Sequence, residues 1–184
     1  AKIPPGALGA IDTFRFEEAT IRSAAIGALQ RGDWPSAQAL ATDRTPERCF
    51  WVKQSAALQR TWELLRLAAT LGQGLAGTTD ALAGSASLEE AVERYAEKLA
   101  ALDRAHRVFE QRAHALLNSE LEDYDALLEV RTAVRRAYRA WADTSNRVFF
   151  DLCKKRGALP GRSLRQRAIY EEVVQPLLDQ GGKL

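Results

Sequence analysis

An all-α fold follows from three features of this 184-residue chain. Apolar residues recur at helical spacing over long stretches, capping signals open several of those stretches, and no run of alternating Val, Ile, Thr and aromatic residues lies between hairpin turns. The expected architecture is a helical bundle containing a long antiparallel helical hairpin.

The first helix is expected over about 14–30, with Ile21, Ala25, Ala28 and Leu29 on one face and Gly32 as its stop. Asp33 then caps a short helix opening at Trp34 and Pro35, where proline is tolerated. Thr45, Pro46 and Glu47 repeat that start signal. Beyond them, 50–75 carries Trp51, Val52, Leu58, Trp62, Leu65 and Leu71, as one long helix or two joined ones, until Gly72, Gly74 and Gly77 loosen it. Residues 77–86, rich in Gly, Ser, Thr and Ala, read as a connector or a plain loop.

Ser87-Leu88-Glu89-Glu90 is a capping box that opens a long helix. From it, Leu88, Val92, Tyr95, Leu99, Leu102, His106, Phe109, Ala113 and Leu116 keep a heptad-like spacing, and the helix is expected to reach Leu117. After 118–123 a second series runs through Leu127, Arg131, Val134, Tyr138, Trp141, Ser145, Val148 and Leu152 towards Gly157 and Pro160. Two series of similar length joined by a short turn predict the antiparallel hairpin. Ser163-Leu164-Arg165-Gln166 opens a last helix, which Pro176 kinks or ends. The chain is thus expected to divide into a helical subdomain at 1–76, a linker or loop at 77–86, the hairpin at 87–158 and a final helix at 159–184.

Apolar residues make up 46% and charged residues 27% of the chain, which excludes wholesale disorder and low-complexity architectures. No stretch has the ~18 uncharged apolar residues of a membrane span, and the N-terminal residues lack the pattern of a signal peptide, so a cytoplasmic location away from membranes is expected. Cys49 and Cys153 are the two cysteines; both are expected to be free, half-buried thiols. The net charge of +2 conceals an asymmetry: 131–167 carries eleven Lys/Arg against two Asp, net +9, leaving −7 for the rest.

Within that stretch Arg131, Arg135, Arg136, Arg139, Lys154, Lys155, Arg156, Arg162, Arg165 and Arg167, with Tyr138 and Trp141 interleaved, form a candidate surface for nucleic acid or for an acidic partner. The competing expectation is a solvated face or an acidic partner on the same chain. His106, Glu110 and His114 stand at i, i+4 and i+8, and neighbouring pairs at that spacing can chelate a metal. His106 belongs to the apolar seam, however, and His114 lies about 80° around the helix from it, so packing and surface roles are expected for both. Asp103 and Arg107 are placed for an i, i+4 ion pair, with Arg104 beside them. Trp34, Trp51, Trp62 and Trp141 are expected in the core. No phosphate-binding Gly loop, nucleophile elbow or zinc motif occurs, so the segment is expected to be no enzyme and to hold no cofactor or metal of its own.

Several stretches resemble a known family. They are Glu17-Glu18-Ala19, 28–34 (Ala-Leu-Gln-Arg-Gly-Asp-Trp), Phe50-Trp51, Trp62, Ala68-Ala69 and Leu71-Gly72. To these are added Tyr95, 102–107 (Leu-Asp-Arg-Ala-His-Arg), Phe109-Glu110, Tyr138, Trp141, Asn146, Phe149 and 173–178 (Val-Val-Gln-Pro-Leu-Leu). Together they resemble the PglZ family, the alkaline-phosphatase-superfamily component of the BREX and phage growth limitation defence systems of bacteria. The resemblance implies a helical region preceding an α/β phosphatase domain. In that family a similar Val-x-Pro-Leu-Leu helix leads into a strand bearing a metal-binding Asp in an Asp-Ala-Leu-Arg type of motif, and this sequence halts at Leu184 before such a motif, as a fragment would. The divalent metal implied for that domain therefore brings no ligand or catalytic residue to this chain. The expected function is an interaction or scaffolding region that docks another BREX/Pgl defence protein or the protein's own phosphatase domain. The alternative is a non-specific DNA-contacting module using 131–167, and self-association through the helical seams also remains open.

Overall fold

A computed structural model describes residues 5–84, 88–118 and 123–155, with side chains described for 16–84, 98–118 and 123–147. Six α-helices account for almost all of them: α1 (Pro5–Gln30), α2 (Trp34–Ala41), α3 (Phe50–Gln54), α4 (Ala56–Ala83), α5 (Leu88–Leu117) and α6 (Tyr124–Lys155). No strand occurs among the described residues, and no helix there is long and apolar enough to cross a membrane. The final helix expected at 159–184, the hydrogen bonds of the Ser87 capping box and the Cys153 thiol lie outside the described residues.

Helix α1 begins nine residues earlier than its apolar face suggested and stops where Gly32 requires it. Gly32 adopts φ +74°, a conformation only glycine enters at little cost, and the Asp33 N–H donates to the Ala28 carbonyl at 2.9 Å while the Gly32 N–H donates to Leu29 at 3.1 Å. That pair of bonds closes α1 and delivers Asp33 as the cap of α2, its carboxylate accepting from the Ser36 N–H at 3.3 Å.

Thr45-Pro46-Glu47 starts no long helix. The Arg48 and Cys49 amides close an isolated turn on the Thr45 carbonyl. The expected 50–75 helix is two, and the break is Ser55: its backbone is extended, and its hydroxyl accepts from the Leu58 N–H at 3.3 Å as the cap of α4. Helix α4 then runs through Gly72, Gly74 and Gly77 to Ala83, so most of the expected 77–86 connector is helix. Buried Leu75, Thr78 and Leu82 continue the helical spacing, and their packing outweighs the weak propensity of glycine.

The described residues form two compact units that do not follow sequence order. The first combines residues up to Gln73 with those of 109–135; the second combines those of 74–108 with those from Arg136 onward. In the first, Trp62, Leu65, Val52 and Leu29 from the N-terminal helices are fully buried, as are Phe109 and Ala113 of α5 and Val130 and Val134 of α6. Trp34 lies flat against Gly72, where a Cβ would stand 2.2 Å from its ring, so α2 and α4 approach as closely as a missing side chain allows.

A polar network is buried within this apolar packing. Glu18 is 5% exposed and accepts the Trp62 indole N–H at 2.9 Å and two bonds from Arg22 at 2.8 and 2.7 Å. The Arg22 Nε is in turn 2.8 Å from Asp123, tying α1 to the approach of α6. Satisfied on every side, the carboxylate is a registration point between α1 and α4.

In the second unit, Leu75, Thr78 and Leu82 of α4, Leu99 and Leu102 of α5, and Trp141 and Ser145 of α6 are buried, with Leu102 covering Gly74. Three of the four tryptophans are core residues; Trp51 is half-buried, its ring meeting exposed Phe50 edge-on at 5.2 Å. Cys49 is buried and free, with the Arg44 guanidinium 3.8 Å from its sulfur.

Candidate functional residues of the helical hairpin

Among the described side chains most seam positions of α5 and α6 turn inward as the heptad spacing predicts, with His106, Arg131 and Tyr138 half-buried, while Leu88, Val92, Tyr95, Val148 and Leu152 lie outside the described side chains. Leu99, Leu102, Phe109, Ala113 and Leu116 of α5 are buried, as are Leu127, Val134, Trp141 and Ser145 of α6. The pairing is antiparallel, since Glu110 meets Arg131 and Arg135 while Asp103 and His106 meet Tyr138.

In the first unit Glu110 is the organising group. Arg131 donates to its Oε2 through Nε at 3.0 Å and through an outer nitrogen at 2.7 Å, and Arg135 spans both oxygens at 2.9 and 2.7 Å. Burial pushes the Glu110 carboxyl up, but the hydrogen bonds from Arg135 and Arg131 and their charges outweigh it and hold the carboxyl below its ordinary value. The same bond to Glu110, against some burial, raises Arg135. The stability contributed by Glu110 is therefore present in full above the ordinary carboxylate range and is lost as pH falls through the lowered folded value. We expect Glu110→Gln to flatten the fall in thermal stability between about pH 5 and pH 2. A variant retaining the wild-type acid slope would contradict this linkage.

The second unit holds a different cluster. The His106 and Tyr138 rings stack at 3.7 Å with their planes 7° apart, and Trp141 lies 5.3 Å from Tyr138. The Tyr138 hydroxyl donates to Asp103 Oδ1 at 2.8 Å, while Arg107 pairs with the other oxygen. Burial raises the Asp103 carboxyl, and the hydrogen bonds from Tyr138 and Arg107 with nearby positive charge overcome that and lower it. Asp103 thus stays ionised and fixes Tyr138 in the seam.

The residues suggested for metal binding are engaged elsewhere. Glu110 holds two arginines, and His114 is exposed with its Nε2 3.1 Å from the Asn118 amide nitrogen. Among the described residues no three His, Cys, Asp or Glu side chains are grouped to hold a metal ion. The basic series is also divided. Arg131 is largely buried and Arg135 half-exposed, both bound to Glu110, whereas Arg136 and Arg139 are exposed. Lys154 and Lys155 belong to the backbone of α6 with their side chains outside the described residues, and Arg156, Arg162, Arg165 and Arg167 lie outside them altogether.

For Arg131 and Arg135 the expected acidic partner on the same chain is Glu110, which its sequence spacing groups with the histidines of its own helix. Reflecting the two seams about the midpoint of 118–123 places residue 110 opposite 131, and that register would have exposed the pair. The Glu18–Trp62 bond, spanning 44 residues, has no such local signal. No protein family, curated protein or solved structure matches this chain.

Proposed function

We propose that this chain is a helical docking region of a PglZ-like anti-phage defence protein, presenting its paired helices to another component of the defence complex or to a phosphatase domain of the same protein. The observation that carries the reading is the internal engagement of the hairpin's chemistry. Glu110, Arg131, Asp103 and Tyr138 are spent on one another, which suits two long helices to offering fixed outer faces. The sequence resemblance supplies the family and the kind of partner. A segment with this role carries no catalytic step of its own.

Exposed Arg136 and Arg139 favour a second reading, contact with duplex DNA without sequence specificity. A pull-down with the tagged chain, from cells expressing a complete defence gene cluster and run with and without nuclease, separates the two. Docking predicts a protein encoded in that cluster that survives nuclease. Recovery of DNA alone, or loss of every partner on nuclease treatment, overturns docking in favour of DNA contact.

A further inference from the structure

We propose that the last third of α4, residues 74–83, is a detachable strap of the second unit, released from the seam by local opening while the preceding turns of α4 stay helical. The two portions of this helix are built differently. From Thr61 to Leu71 the inward positions are Thr61, Trp62, Leu64, Leu65, Ala68, Ala69 and Leu71, all buried, with no glycine among them. Gly72 and Gly74 are demanded by neighbours, because a Cβ would strike the Trp34 ring at 2.2 Å and Leu102 at 2.7 Å. Gly77 answers to no such demand: among the described residues a Cβ there would meet nothing within 4 Å. It therefore lowers helix stability without improving packing.

The next two residues weaken the segment further. Thr78 is 1% exposed, and among the described residues its hydroxyl has no hydrogen-bond partner. A buried polar group without a partner regains its hydration only when the segment opens, so the Thr78 hydroxyl favours the open state over the closed one. The Thr79 hydroxyl donates to the Leu75 carbonyl at 2.7 Å, sharing the oxygen that the helix uses for its own amide bond. Against these stand Leu75 and Leu82, buried to 0% and 3% exposure. They hold the strap closed through two large apolar side chains, where the earlier portion of α4 has four in Trp62, Leu64, Leu65 and Leu71.

This inference is independent of the docking reading and concerns the chain alone. Native-state hydrogen exchange on the full chain, resolved by residue, tests it. Amides of 78–83 are expected to exchange at least about tenfold faster than those of 62–71. Gly77→Ala is expected to slow the strap amides roughly fivefold through helix propensity alone. Thr78→Val, which keeps the shape and removes the unpartnered hydroxyl, is expected to slow them as well, with 62–71 unchanged in both variants. Uniform exchange along α4, faster exchange in Thr78→Val, or equal slowing of both portions by Gly77→Ala would overturn the proposal.

Discussion

Glu18→Ala is expected to lower the stability of the chain by about 3 kcal/mol, a fall of roughly 6–12 °C in Tm for a chain of this size. The size of the effect comes from what is left behind. Removing the carboxylate strands the Trp62 indole N–H in a fully buried position and deprives Arg22, itself 11% exposed, of its bidentate partner. Asp123 retains Arg22 through Nε, which keeps the loss at the lower end for a broken buried ion pair. Glu18→Gln keeps an acceptor for the indole and is expected to cost less. Trp62→Phe combined with Glu18→Ala is expected to cost less than the two single changes added together, because they share one bond. Thermal unfolding by circular dichroism reads all four. A Glu18→Ala variant within about 0.5 kcal/mol of wild type would show that the network does not hold α1 against α4.

Gly72→Ala is expected to destabilise by about 2–3 kcal/mol, although alanine is the better helix former. The new Cβ would lie 2.2 to 2.5 Å from three carbon atoms of the Trp34 ring. A ring lying flat cannot yield as the end of a flexible side chain can, so α2 must move away from α4. The same substitution at Gly77 is expected to stabilise, and the opposite signs at two glycines five residues apart on one helix isolate close packing from propensity. In a Trp34→Ala background, Gly72→Ala should lose most of its effect, as a double-mutant cycle would record. Equal destabilisation in both backgrounds would remove Trp34 as the cause.

The elements legible in the sequence are those whose signals are local or periodic. Gly32 and Asp33 mark the junction of α1 and α2 by themselves, and the spacing from Leu99 to Leu116 and from Leu127 to Ser145 identifies the hairpin seam and its inward residues. Ser55 escaped because an N-cap inside an apolar run looks like a tolerated serine until the backbone is seen to be extended there. The three glycines of α4 read alike in sequence, yet two answer to Trp34 and Leu102 from other helices and the third meets no neighbour among the described residues. The pairing of Arg131 and Arg135 is hidden in the sequence for the same reason. A count of arginines along 131–167 is blind to Glu110, which lies on the other arm of the hairpin and takes up two of them.

That assignment of Arg131 and Arg135 to internal pairing is the centre of the account, since it engages two arginines of the basic stretch within the hairpin rather than with a phosphate backbone. It is tested most directly by comparing wild type with the Arg131→Gln, Arg135→Gln double variant for both thermal stability and affinity for a fluorescently labelled DNA duplex across a salt series. The account predicts that Tm falls while duplex affinity stays within about twofold and its salt slope is unchanged. An unchanged Tm, together with a salt slope shallower by nearly two counterions, would contradict it and make these arginines phosphate ligands.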